Sequence, residues 1–222
     1  MPLAVELHEV RLVTPPVAVE TPKSLNQGKP NRGQAGVKKK MKTKSDKTRA
    51  ILMTLLLVNE TPKVNNDRTE TGCCPRFDPE PWDEQTFVFD NKMFVKAETK
   101  SFLHIPLNIG TVFPRVWQKI EQEQANGDTF LVLSHDLSAW KEEHYFAVTK
   151  DIAGEEMTRL SGTFLTKVFE GPFQDAKKWV KQAEEYVKSK GKRMKELYFF
   201  YTTCPKCAKH FGKNYVVAFI EI

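Results

Sequence analysis

The chain has 222 residues, 40% of them hydrophobic, with 34 Lys+Arg against 28 Asp+Glu and a net charge of +6. A pI near 9.0 suggests nucleic acid until the charge is located: residues 1–50 hold eleven Lys+Arg against four acids, and the remaining residues sum to −1. The folded part therefore has no basic face to follow a phosphate backbone, which excludes nucleic acid as its partner; four cysteines in so large a chain are no disulfide framework and suit a reducing cytosol.

Residues 1–65, with "KKKMKTK" and scattered Pro, Gly, Asn and Gln, lack the periodic apolar residues that would offset the entropy of ordering. They read as a basic disordered leader or an overlong start. "AILMTLLLV", residues 50–58, falls short of the roughly 18–20 apolar residues that a membrane span requires. Read from Met41, "MKTKSDKTRAILMTLLLV" has the charged-then-apolar order of an export signal, but no small-x-small cleavage site follows. Residues 66–90, containing "TGCCPRFDPEPWDE", are Pro-rich and non-periodic and are expected to lie across the domain of residues 91–222.

Within that domain one pattern occurs twice. An extended run, "MFVKAETKSFLHIPLNI", closes at Gly110. A helix follows with Phe113, Val116, Trp117 and Ile120 on one stripe, ending near Asn126-Gly127. The strands "TFLVLS" and "HYFAVTKDI" come next. The second copy runs from "GTFLTKVFEGPF" into a helix with Ala176, Trp179, Val180, Ala183, Tyr186 and Val187 on one stripe, stopping at Gly191. "ELYFFYTT" and "NYVVAFIEI" close it. The last strands of the two copies align without a gap, Tyr145 with Tyr215 and Ile152 with Ile222.

The spacing thus predicts an α+β domain of tandem β-α-β-β units, an antiparallel-rich sheet with two helices on one face. "LYFFY", "YVVAFI" and "FLVL" are apolar on both faces, although a half-exposed strand should alternate. The helix-free face must then be buried: as an aromatic cleft for a small ligand, under residues 66–90, or in a homodimer interface. Tyr145, Tyr198, Phe199, Phe200, Tyr201 and Tyr215 are the candidates to line such a cleft, one alternate pair of the 198–201 run facing it.

The tandem unit and the "EGPF" transition, over about residues 90–222, resemble the gyrase-inhibitor-like (GyrI-like) effector-binding fold. That likeness implies a small-molecule-binding or hydrolytic domain. More closely, "GCCPRFDP", "HIPLN", "LSGTFLTKVFEGP" and "TTCPKCAKHFGKNYVV" resemble a group of bacterial proteins usually named hydrolases. The gyrase-inhibitor-like pattern has an acidic residue after a tyrosine on the penultimate strand; here Phe199 follows Tyr198, and Glu170 and Glu156 are the nearest replacements. Hydrolysis would then draw on Glu170, Glu156 or His104, or on a metal near the cysteines. The alternative is a ligand-binding or thiol- or metal-sensing module without turnover.

Cys204-x-x-Cys207 brings two thiols to one point, as in a zinc half-site. Cys73, Cys74 and His210 are the candidates to complete the set if the two cysteine pairs meet in space. A low-pKa redox dithiol and two structural thiols in a turn fit the spacing equally. His104 alternates with Phe102 and Pro106 as a sheet histidine would. Glu170 stands where it could cap the second helix.

Overall fold

The computed structural model describes residues 58–63, 69–103, 105–127 and 130–222. The basic leader through residue 57, and with it nearly all of the apolar run 50–58, lies outside the described residues, as does His104. Val58 makes a parallel bridge to Val88.

Among the described residues seven strands follow in chain order: β1 (Thr86–Phe102), β2 (Ile105–Pro106), β3 (Val132–Ser138), β4 (Lys141–Ala147), β5 (Glu156–Glu170), β6 (Leu197–Tyr201) and β7 (Tyr215–Glu221). The helices are α1 (Ile109–Gln122), α2 (Ala176–Ser189) and the short α3 (Pro205–Phe211). Gly110 lies inside α1 rather than closing a strand. The extended run instead ends at Phe102, because positive φ at Leu103 turns the chain into the β1–β2 hairpin.

The sheet is not open. Its order is β2-β1-β4-β3-β6-β7-β5 with an additional β1–β5 pairing, so six strands close into an antiparallel barrel. β1 makes the closure possible. Its 17 residues pair with β4 from Phe94 to Lys100 and with β5 from Thr86 to Lys96. A register shift between Phe89 and Lys92, with Asn91 at φ 50°, bends it between its two partners; bulges sharpen twist in this way. The helix-free face expected of a cleft is therefore the barrel interior.

Alternation sorts the strands into inner and outer sets. Phe94, Leu133, Tyr145, Phe164, Phe200 and Phe219 join one buried cluster. Their neighbours point outward. Val95, Val132 and Phe146 meet Val116 and Ile120 of α1; Val216, Ala218 and Ile220 meet Trp179, Ala183 and Val187 of α2.

Residues 69–85 form a strap against the interior cluster. Trp82 is 2% exposed, its ring 5.4 Å from that of Phe200, and Phe77 packs beside it. The Thr166 hydroxyl donates to the Trp82 carbonyl at 2.6 Å, and the Val168 amide donates to Asp83 at 2.9 Å. Proline-rich and non-periodic, the strap is held by side-chain bonds to β5 rather than by a ladder of its own.

Candidate metal centre

Cys204 ends the turn after β6 with extended backbone, Pro205 occupies the first turn of α3, and Gly212 closes the helix at φ 68°. Proline lacks the amide that a helix start leaves unused, and glycine accepts the left-handed cap. One turn into α3, Cys207 comes back beside Cys204, 1% exposed. Across from it the strap turns at Gly72, φ 66°. The amides of Cys73 and Cys74 both donate to the Thr71 hydroxyl, which donates to the Cys74 carbonyl. This tight turn points two adjacent cysteines to one place.

The four sulfurs meet. Cys73 Sγ lies 3.6 Å from Cys74 Sγ and 3.9 Å from Cys204 Sγ, and all four lie within 4.8 Å of one another. A zinc ion with four thiolates at about 2.3 Å sets neighbouring sulfurs about 3.8 Å apart, so the set fits a tetrahedral thiolate ion. The Cys204 amide also donates to Cys74 Sγ at 3.3 Å. Burial pushes the Cys73 and Cys74 thiols up. Burial acts the same way on Cys207, but hydrogen bonds, first from Thr71 and then from the Cys74 backbone and Cys204, outweigh it and bring that thiol to about 7. His210 stands apart, its Nε2 3.2 Å from Glu70, which also binds Arg76 through two short contacts.

The other candidates separate. Tyr198 and Phe200 belong to the interior cluster, with Tyr145 5.7 Å from Tyr198; Phe199 and Tyr201 lie on the α2 side. Tyr215 meets Phe77 of the strap at 6.0 Å. Glu156 is exposed and ion-paired to Lys96 at 2.7 Å. Glu170 is exposed at the end of β5, 4.0 Å from Lys213. It caps no helix: Pro172 and Asp175 hold the cap positions of the 3₁₀ turn and of α2.

Sequence reasoning passed over two carboxylates on β4. Glu143 points inward, accepting a 2.5 Å bond from the Tyr145 hydroxyl and lying 3.5 Å from Lys96. Glu142 points outward beside His144. The signal was available, since both alternate with residues whose faces the apolar pattern already assigns.

Fold and site together define a sheet-rich α+β barrel protein with a four-cysteine centre. The chain belongs to the family described as bacterial hydrolase, whose sequence model matches residues 64–222. It is also similar to a solved structure, that of SAV2435 bound to tetraphenylphosphonium, at 16% identity over 62% of this chain and 92% of that chain, with a TM-score of 0.35. No curated protein matches it. Among the described residues no helix is long and apolar enough to cross a membrane.

Proposed function

We propose that this chain is a small-molecule-binding protein of the hydrolase family in which zinc, held by Cys73, Cys74, Cys204 and Cys207, staples the strap across the barrel interior. The observation that carries the metal is the meeting of four sulfurs from two distant segments within 4.8 Å. A redox dithiol is disfavoured on the same geometry: attack requires an exposed thiolate, yet the thiol that is lowered, Cys207, is buried, and exposed Cys73 is raised. Reducing cytosol would keep all four thiols available to the ion.

Four thiolates leave no open position for water, so the ion is structural and activates no nucleophile. What it fixes is the strap, whose Phe77 and Trp82 fill the space between Phe200, Tyr215 and Phe219. An apolar guest would enter by displacing those rings and would then meet Tyr145, Tyr198 and Phe200. The two β-α-β-β halves, each supplying strands to this interior, are read as a duplicated unit.

Hydrolysis is the second reading, favoured by the family match over residues 64–222. With the thiolate centre closed to water, Glu170, Glu156 or His104 would have to activate it.

Elemental analysis of protein purified without added metal tests the staple. The expected content is about one zinc per chain, falling well below that in Cys73→Ser and Cys204→Ser, as a four-ligand site requires. Metal-free protein with four freely reactive thiols would end the proposal.

A further inference from the structure

The exposed apolar side chains of this protein are gathered in one place. Phe102, Leu103, Leu107, Leu137 and Trp140 are the large hydrophobics that stand 44–69% exposed among the described residues. Phe102 ends β1, Leu103 turns the chain towards β2, and Leu107 follows β2; Leu137 and Trp140 lie at the β3–β4 turn. The two turns are joined, since the Ser101 amide donates to the Trp140 carbonyl at 2.8 Å and the Phe102 and Trp140 rings meet edge-on at 5.5 Å. Together they make one apolar tip, at the opposite end of β1 from the strap.

Apolar surface concentrated in this way marks a contact, and its shape says with what. Phe102 and Leu137 continue the inward rows of Phe94 and Leu133, whereas Leu103, at φ 50°, and Trp140 occupy the turns themselves. The side chains therefore surround the tip instead of sharing one face of a sheet. A protein partner would cover a single face of such a protrusion; a fluid apolar phase envelops it.

Area points the same way. Aromatic side chains present about 150–250 Å² each, with leucine at the low end of that range, so five that are about half exposed offer on the order of 500 Å². That is large for a monomer's apolar patch but short of the roughly 800 Å² per partner that a stable dimer buries.

The backbone of the tip is equipped to leave water, because its polar groups bond to one another. The Trp140 amide donates to the Ser138 hydroxyl at 3.2 Å, the Leu107 amide to the Lys100 carbonyl at 2.8 Å, and the Lys100 amide to the Asn108 side chain at 2.8 Å. Groups paired in this way lose little on entering an apolar medium. Behind the tip the charges are of mixed sign: Lys100 and Lys141 stand near Glu98, Asp136 and Glu142, with Lys141 2.6 Å from Glu98. Long lysine stems can lie along apolar surface with the ammonium in the headgroup layer, and tryptophan favours that same layer. Residues 1–50 carry eleven Lys+Arg against four acids, a charge that anionic headgroups attract.

We propose that this tip docks on a phospholipid bilayer that carries anionic lipid, inserting Phe102, Leu103, Leu107 and Trp140 as far as the boundary between headgroups and acyl chains. The protein lies on the membrane and does not span it. This docking goes beyond the ligand-binding reading and does not depend on it.

The test is co-sedimentation of the full chain with vesicles of phosphatidylcholine alone, and of phosphatidylcholine mixed equally with phosphatidylglycerol. Wild type is compared with Leu103→Ser and with the triple variant Phe102→Ser, Leu103→Ser, Leu107→Ser. All three positions are exposed, so Tm should hardly move, and Leu103→Ser alone decides the matter if the triple variant fails to fold. Wild type should bind the mixed vesicles, and phosphatidylcholine alone more weakly. Leu103→Ser should bind about tenfold and the triple variant about 100-fold more weakly, following the apolar area removed. Brominated acyl chains should quench wild-type fluorescence more than that of Trp140→Phe. A wild type that binds neither vesicle overturns the proposal. Equal binding by wild type and the folded variants would leave the basic leader as the sole anchor and overturns the role of the tip, as does equal quenching in wild type and Trp140→Phe. A wild type that is dimeric in light scattering, binds no vesicle and becomes monomeric in the triple variant gives the patch to a second copy of the chain instead.

Discussion

Glu142 and His144 sit two positions apart on one strand and are displaced in opposite senses by the same burial. Glu142 is raised from 4.5 to about 7 and His144 lowered from 6.5 to about 4. Between pH 4 and 6.5 the unfolded chain protonates this histidine and the folded chain does not, so His144 makes stability rise with pH. Between pH 4.5 and 7 the folded chain keeps the Glu142 proton and the unfolded chain has lost it, so Glu142 makes stability fall. Each contributes about 3 kcal/mol at 1.36 kcal/mol per unit, and in the wild type the two slopes largely cancel. Urea unfolding of wild type and Glu142→Gln at pH 4.5, 5.5, 6.5 and 7.5 checks this. The wild-type stability minus that of the variant should drop by about 3 kcal/mol across the series. A constant difference would mean that Glu142 titrates normally.

Among the elements, the strap depends most on a single side chain. Trp82 is 2% exposed and touches rings from the strap, β1, β6 and β7. Trp82→Ala should cost about 3–5 kcal/mol in urea unfolding, whereas Phe102→Ala, at an exposed site, should stay within about 0.5 kcal/mol. Equal costs for the two would place Trp82 outside the core. The helix over 109–122 is legible from the Phe113–Ile120 stripe, and the α2 helix from the Trp179–Val187 stripe, because 3.6-residue periodicity is local. The strap is legible only by what it lacks, having neither period, so its bonds to Thr166 and Val168 could not be read. On β4 the apolar pattern of "HYFAV" drew attention to the core, while the polar residues that share its outer face, Glu142 and His144, matter only beside Thr99 and Ser134 on neighbouring strands. On β6, alternation alone divides Tyr198 and Phe200 from Phe199 and Tyr201, and that much is in the sequence.

At the scale of the molecule, two closures decide the architecture, and each joins segments far apart in the chain. Apolar residues on both faces of "LYFFY" and "YVVAFI" require two buried faces but not a barrel. Closure depends on the length of β1 and its bend at Asn91, which no hydrophobic pattern records. The second closure is the thiolate centre, where Cys73 and Cys204 meet across 131 residues. Its convergence follows from the path of the strap over the barrel, which C-x-x-C spacing does not contain. The two closures are energetically separable, because the barrel ladder and the clusters under α1 and α2 include no cysteine. Metal bound at 100 times its dissociation constant adds about 2.7 kcal/mol, which for a chain of this size is a shift of about 5–10 °C in Tm. Chelation of the full chain should therefore lower Tm by that amount while hydrogen exchange quickens over residues 69–84 and stays slow in β5 and β7. Global unfolding on chelation would make the metal a condition of the fold, as in the smallest zinc domains. An unchanged Tm with an unchanged strap would show that Trp82 and the β5 bonds hold the segment without it.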